Sequence, residues 1–181
     1  MRRDVEASTK VRAPIERARE VLVGDPGAVV ADQVTPDERK TKSFHTTLAV
    51  QVGGGGLHHD VVIDLRSPHS EARAVSVPLS WHATGHQRLF PAFEGELEAS
   101  GDELGSTLTL RGAYAVPLGP VGRVGERLAG KRVAHQSLVA FLEQSARRLD
   151  AEVARRFDAE GWHPAPYAVS VREISPDNYI G

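Results

Sequence analysis

The chain has 181 residues, 25% of them charged and 40% hydrophobic, with a formal net charge of −2 and no cysteine. So even a charge balance provides no basic field for nucleic acid or anionic lipid. The missing cysteines exclude thiol catalysis, disulfides and cysteine-based zinc or iron–sulfur sites.

The length suits one domain that buries about 70% of its unfolded surface. No apolar run approaches the roughly 20 residues that a membrane helix needs, so stable membrane insertion is not expected. MRRDVEASTKV at the N-terminus has no apolar stretch behind its arginines and does not read as a secretory signal. The expected setting is cytoplasmic.

VEASTKV (5–11) sets Val5, Ala7, Thr9 and Val11 against Glu6, Ser8 and Lys10, the period of a half-buried strand. Pro14 then suits a first helical position, and Ile15, Ala18, Val21 and Leu22 share a face of the short helix it opens. VGDPG (23–27) stops that helix, and a second short helix or turn is expected over 26–31. DQVTPDERKTK (32–42) reads as a polar loop.

A run of strands follows. FHTTLAVQV (44–52) aligns Phe44, Thr46, Leu48, Val50 and Val52. GGGG (53–56) reads as a hairpin connection, and LHHDVVIDL (57–65) aligns Leu57, His59, Val61, Ile63 and Leu65. After a turn over RSPHSEA, AVSVPLSWHA (74–83) aligns Val75, Val77, Leu79 and Trp81. Its Pro78 suggests an edge or an irregular position. FEGELEA (93–99) alternates Phe93, Gly95, Leu97 and Ala99 with three glutamates that read as solvated. STLTLRGAYAV (106–116) aligns Leu108, Leu110, Gly112, Tyr114 and Val116.

From Val121 the period changes from 2 to 3.6. Val124, Leu128, His135, Leu138, Val139, Leu142, Ala146, Leu149 and Val153 predict one apolar stripe on a helix of about 30 residues, roughly 45 Å long. GWHPAP (161–166) closes it, and YAVSVREI (167–174) is a candidate for one more short strand. Each strand has one apolar and one polar face, which predicts an antiparallel sheet. The long helix has only that sheet to pack on. The fold class is therefore α+β: a curved antiparallel sheet of about six or seven strands around a long C-terminal helix, with two short helices after the first strand. The domain spans 1–157, and 158–181 is a C-terminal tail.

Three segments carry a family resemblance: VEASTKVRAPIERAREVLVGDPGA (5–28), VSVPLSWHATGHQRLFPAFEGELEA (75–99) and LTLRGAYAVPLGPVGRVGERLAG (108–130). They resemble the START-like (SRPBCC, polyketide cyclase/lipid-transport) superfamily and its helix-grip fold over about residues 4 to 150. The resemblance implies a cavity between the sheet and the last helix. Gly112, Gly119, Gly122 and Gly125 then read as places of close backbone approach near the strand-to-helix passage. A flexible lead-in, with the regular helix starting nearer Glu126, is the other reading.

Candidate ligand-binding residues follow from these faces. His135 and Tyr114 are the candidate polar anchors, His135 either meeting a ligand or serving as a satisfied core histidine. Arg132, one turn earlier, reads as a surface residue. Trp81, Phe44, Leu48, Val61, Ile63, Val77 and Leu79 are expected along the sheet wall. Leu128, Leu138 and Leu142 face them from the helix.

No metal site is expected. His58 and His59 point to opposite faces, and His82 and His86 fall on a strand and a loop. GGGG lacks the context of a nucleotide loop and no G-x-S-x-G occurs, so no cofactor is expected and no catalytic residue is assigned. The leading expectation is binding of a small, mainly hydrophobic, lipid- or polyketide-like molecule. The alternative is a cyclase/aromatase-like enzyme using His135 or Tyr114 as acid/base. A third reading is a filled interior and a partner-binding tail, with Tyr167, Val169 and Val171 adding a strand to an edge. A homodimer is left open, as are the ligand, the pathway and the role of the tail.

Overall fold

The computed structural model describes residues 2–52, 55–84, 91–115, 124–157 and 168–174, the backbone alone at 50–52, 55–57 and 124–131. The strands are β1 (Arg2–Val11), β2 (Ser43–Val52), β3 (Gly55–Leu65), β4 (His69–Glu71), β5 (Ala74–Ala83), β6 (Ala92–Asp102), β7 (Gly105–Ala115) and β8 (Ser170–Glu173). Helices α1 (Ile15–Gly24), α2 (Gly27–Val30) and α3 (Pro36–Thr41) separate β1 from β2, and α4 (Val124–Phe157) follows β7. All strands belong to one antiparallel sheet in the order β2-β3-β5-β6-β7-β1-β8, with β4 beside β5.

The sheet curls around α4. The helix touches β2 near one end of the strand order and β1 and β7 near the other. Its Phe141 reaches Trp81 on β5 between them. β2 and β1 stand five spacings apart, about 24 Å if the sheet were flat. Curling brings both within reach of a helix about 10 Å across. The alternation read from sequence holds: Val5, Ala7, Thr9 and Val11 on β1 are buried, and so are Val75, Val77, Leu79 and Trp81 on β5. Ile15, Ala18, Val21 and Leu22 are the buried face of α1.

Polar clamps fix the helix. Asp150, buried on α4, accepts the backbone N–H of Ala13 at 2.9 Å and of Arg12 at 3.1 Å, closing the turn between β1 and α1. Arg148 donates to the Val30 carbonyl at the end of α2 and pairs with Asp32. The Arg17 guanidinium on α1 lies 4.2 Å over the Phe157 ring, at the end of α4.

Two expectations change, and a third, an irregular position at Pro78, is met. The loop over 32–42 contains α3, started by a capping box in which Thr35 accepts the Glu38 N–H and Glu38 accepts the Thr35 N–H. The turn over 66–72 contains β4. Pro78 is on an internal strand, yet its residue loses no ladder bond. Its carbonyl accepts from Arg66 on the β3–β4 side, so its nitrogen faces the gap where β5 changes neighbour from β4 to β3. Gly125 and Gly130 are inside α4, which starts at Val124, while Gly119, Gly122 and the GWHPAP stop are outside the described residues.

Candidate ligand site on the concave face

The registers join residues of six strands into one row on the concave face. Phe44 pairs with Ile63, Ile63 with Trp81, Trp81 with Phe93, Phe93 with Tyr114 and Tyr114 with Arg3. Trp81 and Phe93 stack at 4.4 Å, and Phe141 of α4 lies 5.0 Å from Trp81. The indole N–H donates to the Pro91 carbonyl at 3.2 Å, so the polar edge of Trp81 is satisfied.

Two glycines seat this row. Gly95 and Gly112 face each other on β6 and β7, and a Cβ on Gly112 would stand 2.6 Å from Gly95 Cα and 2.7 Å from Phe93 Cζ. The Phe93 ring therefore lies flat over a bare stretch of backbone. Gly112 does make a close backbone approach, but to β6 and not at the strand-to-helix passage where it was expected. At the other end Gly27 of α2 gives its space to the Phe44 ring, whose Cζ is 2.7 Å from where a Cβ would be.

The row is polar at its Tyr114–Arg3 end. Tyr114 donates its hydroxyl to Glu173 of β8 at 3.3 Å, and Arg3 meets the same carboxylate at 3.5 Å. Burial pushes the Tyr114 phenol above its ordinary range, and the Glu173 charge adds to the effect. Four residues along β3 from Ile63, outside the row, His59, opposite Leu48, is half-buried, and desolvation holds it below its usual value against the opposing pull of Asp60. Among the described residues, two buried hydroxyls, Thr46 on β2 and Ser145 on α4, have no hydrogen-bond partner. A buried unpaired hydroxyl costs on the order of 1–3 kcal/mol.

The residues named from sequence divide clearly. Phe44, Leu48, Val61, Ile63, Val77, Leu79, Trp81, Tyr114, Leu138 and Leu142 are all buried in one core cluster. The side chain of Leu128 is outside the described residues. His135 is exposed, which corrects its place on the stripe. Seven-residue steps from Leu128 and to Leu142 put it inward, but the buried face turns along the helix. Around position 135 the inward residues are Val133, Ala134, Ser137, Leu138 and Phe141. His135 points away from them, roughly 120° round at 100° per residue. Arg132 is exposed as expected. Sequence reasoning left out Phe141, whose i, i+3 spacing from Leu138 was the available signal, and Phe93, already on an apolar strand face.

Trp81 is 2% exposed and Phe141 0%, so the protein's own side chains cover the row. A cleft of about 350 Å³ at the end of these strands touches Trp81 and Phe93 from outside, with Arg2, His82 and Glu94 on its rim. Among the described residues no group of His, Asp or Glu is placed to hold a metal ion. No described helix is long and apolar enough to cross a membrane.

A sheet curled around a long C-terminal helix, with short helices between its first two strands, is the helix-grip fold. Among solved structures, the chain is similar to the Zhui aromatase/cyclase from Streptomyces sp. R1128, at 20% identity and TM-score 0.50, covering 89% of this chain and 99% of that one. Ara h 8.0201 shows 12% identity and TM-score 0.48 over 86% of this chain and 99% of that one. No protein-family model and no curated protein sequence matches the chain. At these identities the likeness is one of fold.

Proposed function

We propose that the chain binds a small, mainly hydrophobic molecule between the concave face and α4. The observation that carries this reading is the continuous row from Phe44 to Tyr114, apolar and aromatic across five strands, with the Trp81 N–H already satisfied by Pro91 and the Tyr114 hydroxyl at one end. Such a surface suits a flat apolar guest held by few polar contacts. Because Phe141 covers Trp81, uptake requires that side chain or its helix to move aside. Thr46 and Ser145 are unspent polar groups for a guest hydroxyl or carbonyl.

No observation favours the cyclase/aromatase alternative. His135 faces away from the sheet, and Tyr114, with its phenol held above the usual range, is committed to Glu173. A fluorescence titration tests the binding reading. Trp162 is replaced by Phe so that Trp81 is the sole indole, and anilinonaphthalene sulfonate is added as the apolar probe. The expected result is saturable one-to-one binding with energy transfer from Trp81. A natively packed protein showing no saturable transfer overturns it.

A further inference from the structure

Two hydroxyls in the interior are unspent. Thr46 on β2 is 7% exposed and Ser145 on α4 0%, and neither has a hydrogen-bond partner among the described residues. A buried serine inside a helix ordinarily donates to the carbonyl four residues back, as Ser137 does to Val133 at 2.7 Å. Ser145 has the Phe141 carbonyl in the same relation and does not use it. A hydroxyl left so in a packed interior marks a place for something the chain does not supply.

Both hydroxyls face the same part of the concave space. Phe141 fixes one point of α4 at Trp81, and Arg148 fixes another at the Val30 carbonyl of α2. Ser145 lies between them, about 6 Å along the helix from Phe141 and roughly 40° round from it. The same short helix α2 carries Gly27, against which the Phe44 ring is seated. Ser145 therefore overlies the stretch of the row from Trp81 to Phe44. Thr46 belongs to the floor of that stretch, next but one to Phe44 on the buried face and paired with Val61. Asp150 is the one charged group buried among the described residues, and it is spent on the N–H groups of Arg12 and Ala13. The group that two hydroxyls can hold here is thus an uncharged one.

We propose that Thr46 and Ser145 orient the guest, holding a neutral hydroxyl or carbonyl oxygen at the β2 half of the row while the apolar part extends over Trp81 and Phe93. This rests on the binding reading above and adds a direction and a chemical class to it: a flat, uncharged molecule oxygenated at one end. One such oxygen has two lone pairs and accepts from both hydroxyls.

Equilibrium dialysis with naphthalene and 2-naphthol separates the two claims, because the probes differ by one hydroxyl. The expected result is that both bind, 2-naphthol about tenfold more tightly. Thr46→Val combined with Ser145→Ala should reduce that ratio to about twofold or less, and Thr46→Ser should keep it. Ser137→Ala, whose hydroxyl is already spent on Val133, is the control and should leave the ratio as it is. Naphthalene binding without an advantage for 2-naphthol, or an advantage that survives the double substitution, overturns the proposal and leaves the binding reading standing; buried water serving both hydroxyls would give that result. If neither probe binds the folded protein, both readings fall. Should the double variant not fold, the single substitutions decide, each being expected to lower the ratio.

Discussion

Gly112→Ala tests how the aromatic row is seated. The added methyl would press on the Glu94 carbonyl oxygen and stand 2.6 Å from Gly95 Cα and 2.7 Å from Phe93 Cζ. Two of these neighbours are backbone atoms of the adjacent strand, so relief requires β6 and β7 to part beneath Phe93. Overpacking of this kind costs about 1–3 kcal/mol. The alanine recovers about 0.4–1 kcal/mol by restricting the unfolded chain. The net loss expected is about 1–2 kcal/mol, or about 2–8 °C in melting temperature for a domain of this size. Urea unfolding followed by tryptophan fluorescence measures it, and parting of the Trp81–Phe93 stack should also change the near-ultraviolet circular dichroism. Phe93→Leu in the same chain should restore little, because the backbone contacts remain. Gly24→Ala, whose methyl meets nothing nearer than Arg156 Nη1 at 3.7 Å, is the control and should be neutral or stabilising. A Gly112→Ala protein as stable as the wild type would refute this reasoning.

Other substitutions probe the polar groups. Thr46→Val and Ser145→Ala remove unpaired buried hydroxyls, so stability should hold or rise by up to about 1 kcal/mol while probe affinity falls; a clear loss of stability in urea would mean that the hydroxyls are paired. Asp150→Ala strands the N–H groups of Arg12 and Ala13 in a buried turn and should cost about 3 kcal/mol, with Asp150→Asn retaining part of it. Glu38 accepts N–H bonds from Thr35 and His45, which lower its carboxyl from 4.5 to about 2. Its stabilising effect is therefore complete above the unfolded value and is lost as pH falls from 4.5 towards 2. Glu38→Gln should flatten that part of the acid unfolding curve, and an unchanged curve would contradict the assignment.

Much of the fold was legible because burial and period agreed. On α1 the buried residues are the four that periodicity selects, and on β5 the alternation runs unbroken from Val75 to Trp81. The segment 32–42 was misread because its composition is polar throughout, so α3 left no apolar stripe. Its signal was Thr35-Pro36-Asp37-Glu38, a capping box with proline at the first helical position. His135 was misplaced for a different reason. Periodicity gives angles about a helix axis but not which side each part of the sheet covers, and the buried face of α4 turns between Val133 and Val153. The cross-strand row was hidden similarly: Phe44, Trp81 and Tyr114 were each on an apolar face, but only the registers show them aligned.

The most direct measurement is native mass spectrometry of the protein as purified from its host, followed by extraction and identification of what it carries. The account predicts a retained small, mainly apolar molecule in one-to-one ratio that dissociates on unfolding. A folded protein that carries nothing, and takes up no apolar probe when challenged, would contradict a ligand site beneath α4.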